Sequence, residues 1–331
     1  MTSSLGDLYA PRGELSTGWF SLAAGAGDID ALRGYYWQGH ELIVYMGDPL
    51  GVGGAGGDFS SVLVGRIARA WWSADIFNVS LRDARWPLQK NIQTTAYAGT
   101  GGIEGGADLK NVLKPLGFGV VRNAEPIVTD QTNLIMQVHE RAINSITGVF
   151  DRGVELTAAA GDAASYSALT SWTPVAGQYK TYLAGGMLRL GALPDAPVTV
   201  DFTGDNTGGY VTGGADLVKR IITWKAPTLT VNATAFSTVQ SSRPWNCGLY
   251  LRNGEGTIQE ACQALAASIG AWTDITPIGD VGEMTIGIIA FGTPVLTLNE
   301  TVTRNFQAIE TPPPPSKVRI GFQRSYLVQK L

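Results

Sequence analysis

The glycine-rich segment GVGGAG (51–56) offers the most suggestive chemistry in the chain. It matches the G-x-G-x-x-G pattern with which dinucleotide-binding folds hold a pyrophosphate, and Asp75 follows about twenty residues later. That fingerprint needs a helix directly after the glycines, because the free N–H groups of the helix bind the phosphate. The sequence that follows, SSVLVGRIARAWW, is rich in β-branched and aromatic residues and favours a strand. We therefore interpret GVGGAG as a hairpin loop and expect no cofactor.

A second glycine-rich pattern occurs twice, as TGGIEGGADLK (100–110) and TGGYVTGGADLVK (207–219). Neither copy ends in the G-K-[S/T] of a phosphate-binding loop, and the carboxylates of Asp108 and Asp216 would repel a phosphate. A short carboxylate is better suited to a helix N-cap, where it accepts hydrogen bonds from free backbone N–H groups. The pattern predicts the same local structure, a turn followed by a helix cap, at two domain junctions. A tandem duplication is the alternative.

Histidines and cysteines are too few and too scattered to predict a metal or nucleophilic centre. His40 and His139 are the only histidines, and they lack the i, i+4 spacing of a helical zinc site. Cys247 and Cys262 are the only cysteines, and no G-x-S-x-G elbow accompanies them. We expect two free thiols, with Cys262 in the core on the buried face of a predicted helix, and no metal.

Paired carboxylates leave an enzymatic alternative open, because a glycosidase needs only two carboxyl groups. Asp151/Glu155 and Asp201/Asp205 could each converge in a cleft, although such pairs arise by chance among 28 acidic residues. Asp151 also begins the turn-like DRG, which predicts a hairpin. A glycan hydrolase is therefore one alternative, and a carbohydrate-binding module that uses the 9 Trp and 11 Tyr as stacking platforms is another. Our main expectation is that the protein is not an enzyme.

The composition indicates a globular, β-rich chain. Of its 331 residues, 44% are apolar, only 16% are charged and 42 are glycine, which suits short strands joined by tight turns. The formal net charge of −4 is scattered without a basic run, and this disfavours a nucleic-acid partner. No apolar run approaches the ~18 residues of a membrane span, and the N-terminus does not resemble a signal peptide. A surface with so few charges favours a subunit of a larger assembly.

Three runs near the N-terminus predict an antiparallel meander, with a hairpin turn at 73–75. The runs are ELIVYMGDP (41–49), SSVLVGRIARAWW (60–72) and DIFNVSLRDARWPL (75–88). A second β region is predicted from about residue 116 to 157. Further strands are predicted at EMTIGIIAF, at PVLTLNETV and, after the stiff connector PPPP, at KVRIGFQRSYLVQKL.

The clearest helix is predicted over 258–269. Thr257 and Glu260 have the spacing of a capping box, and Gly270 stands where a left-handed C-cap would end the helix. Shorter helices are predicted at 215–224 and within 163–172. The expected fold class is therefore mainly β with minor α.

Four sequence elements stand in a familiar order along the chain. They are KPLGFGVVRN (114–123), QVH (137–139), VFDRGV (149–154) and LRLG (188–191). In this order the chain resembles the tail-tip, or baseplate hub, proteins of long-tailed (siphovirus-like) bacteriophages and gene transfer agents, over roughly residues 30 to 331. No catalytic residue belongs to these four elements.

The resemblance implies a structural subunit built from small β-barrels and assembled as a ring. The ring would be a homotrimer with two similar barrels per chain, which matches a six-fold tail tube to a three-fold tip. The implied partners are the distal tail protein, the end of the tape-measure protein and the central fibre or other tip proteins. The implied location is the distal end of the virion tail, after synthesis in the host cytoplasm. The six-copy distal tail ring protein is the alternative within this structural class.

Domain organisation is expected to follow the breaks in the pattern. The predicted units are a first β-barrel or meander domain (1–112), a central α+β domain (113–205), a second hub domain with helices near 215–224 and 258–269 (206–311), and a Pro-rich connector with a C-terminal strand (312–331).

Two aromatic clusters are candidate interface anchors, because large aromatic side chains dominate the binding energy of many protein interfaces. The first cluster is Tyr35, Tyr36 and Trp37, and the second is Trp71 and Trp72. Packing inside the subunit is the alternative role for both clusters.

Overall fold

The computed structural model describes residues 2–5, 13–16, 19–23, 33–47, 59–73, 76–82, 85–254, 256–278 and 281–288. The GVGGAG segment, Asp75, PVLTLNETV and the proline connector with the strand predicted after it lie outside these residues. The described chain is mainly β with a smaller share of helix, which confirms the expected α+β class. None of its described helices is long and apolar enough to cross a membrane.

The strands and helices are numbered in chain order. The strands are β1 (Thr2–Leu5), β2 (Gly13–Ser16), β3 (Trp19–Ala23), β4 (Glu41–Gly47), β5 (Phe59–Ser73), β6 (Ile76–Arg82), β7 (Leu116–Ala124), β8 (Ile127–Asp130), β9 (Ile135–Gln137), β10 (Ile143–Asp151), β11 (Val154–Glu155), β12 (Thr157–Asp162), β13 (Gln178–Tyr182), β14 (Met187–Leu190), β15 (Val198–Asp205), β16 (Thr230–Val231), β17 (Gly248–Leu251), β18 (Ala271–Ile278) and β19 (Val281–Ile288). The α-helices are α1 (Tyr166–Ser171), α2 (Gly214–Lys225), α3 (Ala233–Ser242) and α4 (Ile258–Ser268).

The N-terminal meander is confirmed as an antiparallel sheet of order β3-β6-β5-β4. Ser73 pairs with Ile76 across the predicted turn. The segment after GVGGAG is the 15-residue strand β5, so the helix that a dinucleotide fingerprint requires is replaced by a strand. A small core on one face of the sheet contains Ile67, Phe77, Val79 and Leu81.

Two five-stranded sheets form the centre of the molecule, with orders β11-β10-β15-β7-β17 and β12-β13-β14-β9-β8. Side chains from both sheets meet in one buried cluster that includes Val121, Val200, Phe202 and Leu188. The predicted β region at 116–157 is confirmed, and Asp151 pairs with Val154 across the predicted DRG hairpin.

A helical layer covers the other face of the first central sheet. Helices α2, α3 and α4 pack with strands β18 and β19 around a second, larger core. Leu116 and Phe118 of β7 enter this core, whereas Val121 of the same strand enters the core between the sheets. Strand β7 is therefore buried on both faces, which explains its nearly continuous apolar sequence.

The predicted helices are confirmed at 215–224, at 258–269 and within 163–172. In α4, Thr257 and Glu260 form the reciprocal capping box, and Gly270 has a left-handed φ of 66°. Helix α3 was not predicted, because its segment ATAFSTVQSS is rich in Ser and Thr and buries only Phe236 and Val239.

The two copies of the glycine pattern do not have the same structure. The first copy forms single 3₁₀ turns at 102–104 and 107–109, whereas the second leads from β15 into helix α2. The N-cap prediction was wrong for both aspartates. Gly213 caps α2 and Asp216 lies in its first turn, while Asp108 lies inside a 3₁₀ turn. The different surroundings argue against duplication of a domain.

The expected closed barrels are not seen among the described strands, because each sheet there is open. The first central sheet has β11 and β17 as its edges, and the second has β12 and β8. The described architecture is therefore a pair of packed open sheets with a helical layer and an N-terminal sheet whose strand β5 contacts β18.

Replacing Thr257 by Ala is expected to destabilise the protein by about 1 kcal/mol, because the first turn of α4 loses its cap. The Thr257 hydroxyl accepts from the N–H of Glu260 at 3.2 Å, and the Glu260 carboxylate accepts from the N–H of Thr257 at 2.7 Å. Urea unfolding followed by circular dichroism measures the change. Ser241→Ala is the matched control, since its exposed hydroxyl donates only to the Ser237 carbonyl within α3. A Thr257→Ala midpoint equal to that of the control would contradict the capping role.

Candidate functional site

A buried polar cluster lies where the first central sheet meets helix α2. Strand β15 ends at Asp205, the connection after β9 carries His139, and α2 contributes Arg220. Arg220 Nη1 lies 2.7 Å from Asp205 Oδ2, and His139 Nε2 lies 3.5 Å from Asp205 Oδ1. The side chains of His139 and Asp205 are only 0% and 2% exposed, so the cluster lies inside the protein.

The geometry indicates that His139 is a neutral imidazole. Its Nδ1 accepts a hydrogen bond from the backbone N–H of Gly117 at 2.9 Å, so the ring proton is on Nε2 and faces Asp205. At 3.5 Å this second contact is a weak polar contact rather than a full hydrogen bond. Burial lowers the pKa of His139, and the nearby carboxylates of Asp205 and Glu140 oppose that effect only in part.

Asp205 is the shared acceptor of the cluster. Burial alone would raise the pKa of Asp205, but the polar contact with His139 and the hydrogen bonds from Arg220 and Thr207 outweigh burial and hold the pKa well below its ordinary value. Arg220 also donates to the carbonyls of Thr207 at 2.5 Å and Gly209 at 2.6 Å. The loop between β15 and α2 is thereby tied to the helix that follows it.

A second ion pair lies beside the first. Lys225 Nζ is 3.0 Å from Glu140 Oε1, with side chains that are 5% and 6% exposed. Burial lowers the pKa of Lys225, and Glu140 opposes the change. Two cations lie against the Trp224 ring, Lys225 Nζ at 3.8 Å and Arg141 Cζ at 4.1 Å from the ring centroid. The negative face of an aromatic ring attracts such cations.

The position of the cluster favours a structural role over catalysis. The rings of Phe118 and Trp224 pack edge-on against His139, at centroid distances of 6.0 and 6.1 Å. A general base has to come within hydrogen-bond reach of its substrate, and His139 is closed off from solvent. Among the described residues, no group of three or more His, Cys, Asp or Glu side chains could hold a metal ion. Sequence reasoning named His139 and Asp205 separately but missed Arg220, because these residues are distant in the chain.

One of the two carboxylate pairs considered for glycoside hydrolysis is separated by the fold. Asp201 and Asp205 are four residues apart on one strand, which corresponds to about 13 Å, more than the ~10 Å that either glycosidase geometry allows. Asp201 binds Arg122 at 2.7 Å and accepts the backbone N–H of Asn123 at 2.7 Å. Both carboxylates are occupied by contacts within the chain.

The other pair, Asp151 and Glu155, does not converge either. Asp151 lies opposite Val154 in the hairpin, and Glu155 lies opposite the residue before Asp151, so the two carboxylates point to opposite faces. Asp151 accepts the backbone N–H groups of Asp195 at 3.0 Å and Ala196 at 3.2 Å. This carboxylate fixes a loop.

The remaining candidates for chemistry are separate from one another. Cys262 is fully buried in the helical core, as predicted, and burial raises the pKa of its thiol. Cys247 is half-buried, with Sγ 3.3 Å from Ser268 Oγ, and both cysteines are free. His40 is exposed and packs against the Tyr35 ring at 5.1 Å.

The first predicted anchor cluster is divided between surface and core. Tyr35 and Tyr36 are 53% and 72% exposed. Trp37 is half-buried and packs against the core residue Phe77 at a centroid distance of 5.3 Å. Tyr35 rests edge-on against Trp37 at 4.9 Å, so the half-buried Trp37 supports the exposed ring of Tyr35.

The second predicted cluster has its two rings on opposite faces of the sheet, because Trp71 and Trp72 are neighbours in one strand. Trp72 packs against Phe77 at 4.9 Å, with the guanidinium of Arg33 4.5 Å from the Trp72 ring centroid. Trp71 is half-buried, with the guanidinium of Arg69 5.6 Å away. Trp72 therefore belongs to the core of the subunit.

A protruding hairpin is the surface feature that sequence reasoning missed. Strand β5 pairs with β6 only from Arg66 to Ser73 and with β4 only from Phe59 to Arg66. Residues 59–65 and 42–47 therefore form a two-stranded ribbon, here called the arm, which extends beyond the other described strands of the sheet. Leu42 and Val44 at its base pack against the small core of that sheet. The end of the arm carries Tyr45, Met46 and Phe59, which are 56%, 68% and 55% exposed. The sequence shows two apolar strands, but it does not show where their neighbours stop.

No protein-family model matches this chain, and no similar protein was found among curated proteins or solved structures. Function is therefore inferred from the residues and their geometry.

Acidification is expected to weaken the fold through His139. Because its pKa is lowered in the folded protein, the unfolded chain binds a proton below about pH 6.5 that the folded chain does not bind. This contribution to stability is complete above about pH 6.5 and decreases as the pH falls toward the folded pKa, by at most ~1.4 kcal/mol per pH unit. Urea unfolding midpoints between pH 7.5 and 5.0 measure the slope.

His40→Gln is the matched control, because it removes the exposed histidine and leaves the buried one in place. We expect His40→Gln to keep the wild-type slope and His139→Gln to flatten it. Equal slopes in both variants would refute the assignment of this proton to His139.

Proposed function

We propose that the protein is a structural subunit of a phage tail tip, a baseplate hub that joins the tail tube or distal tail ring to the central fibre and closes the tail channel. The arm is the observation that carries this proposal. Beyond Leu42 and Val44, which pack against the core of the sheet, the arm continues as a two-stranded ribbon. Such a ribbon is marginally stable in water, and the exposed aromatic side chains at its end add an unfavourable contact with solvent. Packing of the arm against a neighbouring subunit would remove both costs.

The chemistry of the arm fits a protein interface. Tyr45, Met46 and Phe59 belong to the residue types that are enriched at interface cores. The exposed rings of Tyr35 and Tyr36 add aromatic surface in the same N-terminal region. Along β5, residues 59–65 have a described strand partner only on the side of β4, so the other edge can pair with a further strand.

Strand pairing at this edge between chains would also complete the expected β-barrels. A strand from a neighbouring chain that pairs along residues 59–65 would continue the staggered sheet across the subunit boundary. Three copies joined in this way would form a ring whose small barrels close between chains rather than within one. The resemblance to tail-tip proteins supports a homotrimer at the distal end of the virion tail, in contact with the distal tail protein, the end of the tape-measure protein and the fibre.

The purified wild-type protein is expected to form a ring with a mass three times 35.1 kDa by light scattering. The triple variant Tyr45→Ser/Met46→Ser/Phe59→Ser should weaken assembly by about 100-fold or more, because each buried anchor contributes on the order of 1–2 kcal/mol. Sedimentation over a concentration series measures the association constant.

A matched control removes three exposed apolar side chains elsewhere, at Val154, Val175 and Leu193, which are 67%, 48% and 78% exposed. The variant Val154→Ser/Val175→Ser/Leu193→Ser should assemble like the wild type. A wild-type protein that stays monomeric both alone and in isolated tail tips would refute the proposal. A reconstruction with six copies would identify the distal tail ring protein instead.

A further inference from the structure

A cleft of about 550 Å³ opens beside the buried cluster, between helix α2, the loop that precedes it and Arg141. Its volume lies within the range of small-molecule sites. Three of its charged lining residues are on α2, one turn or less apart, and Arg141 approaches from the start of β10. The lining residues that matter for recognition are Arg141, Asp216, Lys219, Arg220, Thr223 and Trp224.

The charges of the cleft are only partly compensated by the protein. Arg220 is paired with Asp205, which leaves Arg141, Lys219 and the carboxylate of Asp216 to face the opening. Neither Arg141 nor Lys219 forms an ion pair with another described residue. The free charges therefore amount to two cations against one carboxylate, so the cleft favours an anionic group.

The Trp224 ring holds the guanidinium of Arg141 in position rather than offering a stacking surface. Arg141 Cζ is 4.1 Å and Lys225 Nζ is 3.8 Å from the ring centroid, so two cations already lie against the ring. A guanidinium fixed in this way keeps its planar set of N–H donors, which match a carboxylate in a bidentate arrangement. Trp224 is therefore a positioning residue for Arg141.

The acceptor groups narrow the class of ligand further. Asp216 can accept hydrogen bonds but would repel a second anionic group, and the exposed hydroxyl of Thr223 can also accept, because its proton is donated to the Lys219 carbonyl. A ligand that fits carries one carboxylate beside several hydroxyl donors. We propose that this cleft binds an acidic sugar, with its carboxylate between Arg141 and Lys219 and a hydroxyl donated to Asp216.

The test uses the full chain and two sugars that differ only in the carboxylate, glucuronate and glucose. Titrations followed by NMR or calorimetry should show saturable binding of glucuronate and none of glucose. Arg141→Gln/Lys219→Gln should weaken glucuronate binding at least about tenfold, as expected for the loss of charge-assisted hydrogen bonds. Asp216→Asn should weaken glucuronate binding and should not create binding of glucose.

Lys90→Gln/Lys110→Gln is the matched control, because it removes two exposed cations outside the cleft and should leave binding unchanged. Equal binding of glucuronate by the cleft variant and this control would overturn the site. The assignment of the ligand as an acidic sugar would be overturned by equal binding of glucose and glucuronate, by no glucuronate binding, or by stronger binding of a tetra-glutamate peptide. The arm triple variant should bind like the wild type, so failure of assembly and failure of this site give different results.

Discussion

Strand β7 is buried on both faces, and the arrangement of the central and helical layers depends on this constraint. Leu116 and Phe118 face the helical core, whereas Gly117 and Val121 face the core between the sheets. A Cβ at position 117 would lie 2.3 Å from the ring of Phe202, so only glycine leaves room for that ring. The two cores are thereby connected through one strand, and a change in its packing would affect both layers.

The polar cluster pairs the polar and charged groups that this arrangement buries. The end of β15 and the start of α2 come together in the interior, where unpaired backbone and charged groups would be costly. Asp205 accepts from Arg220 and from the Thr207 N–H, and Arg220 in turn donates to two loop carbonyls. Removing one partner would leave a buried charge, so the group acts as a unit that fixes one relative position of sheet and helix.

The N-terminal sheet is held differently from the rest of the chain. Its core has four buried apolar residues, whereas the helical core has many more. Its long strand β5 changes neighbours at Arg66, and this stagger produces the exposed arm. A weak internal core next to an apolar surface is typical of a region that gains part of its stability by association.

Local signals in the sequence determined the secondary structure. The Thr257/Glu260 capping box, the DRG hairpin and the alternating or continuous apolar runs predicted elements that the structure contains, because each depends on contacts only a few residues apart. Helix α3 was missed because its apolar spacing is sparse, and the N-cap role of Asp216 was wrong because backbone geometry places Gly213 first.

Only the tertiary structure decided which distant residues meet. His139 lies 66 residues before Asp205, Arg220 lies 15 residues after it, and no periodicity relates the three, yet they share one buried site. The same holds for Arg141 and Lys219 in the cleft, and for the arm, whose exposure depends on where the pairing of β6 stops. Patterns along a chain indicate which face of a single helix or strand is buried. Sites and surfaces instead arise from long-range contacts, which form only when the elements pack against one another.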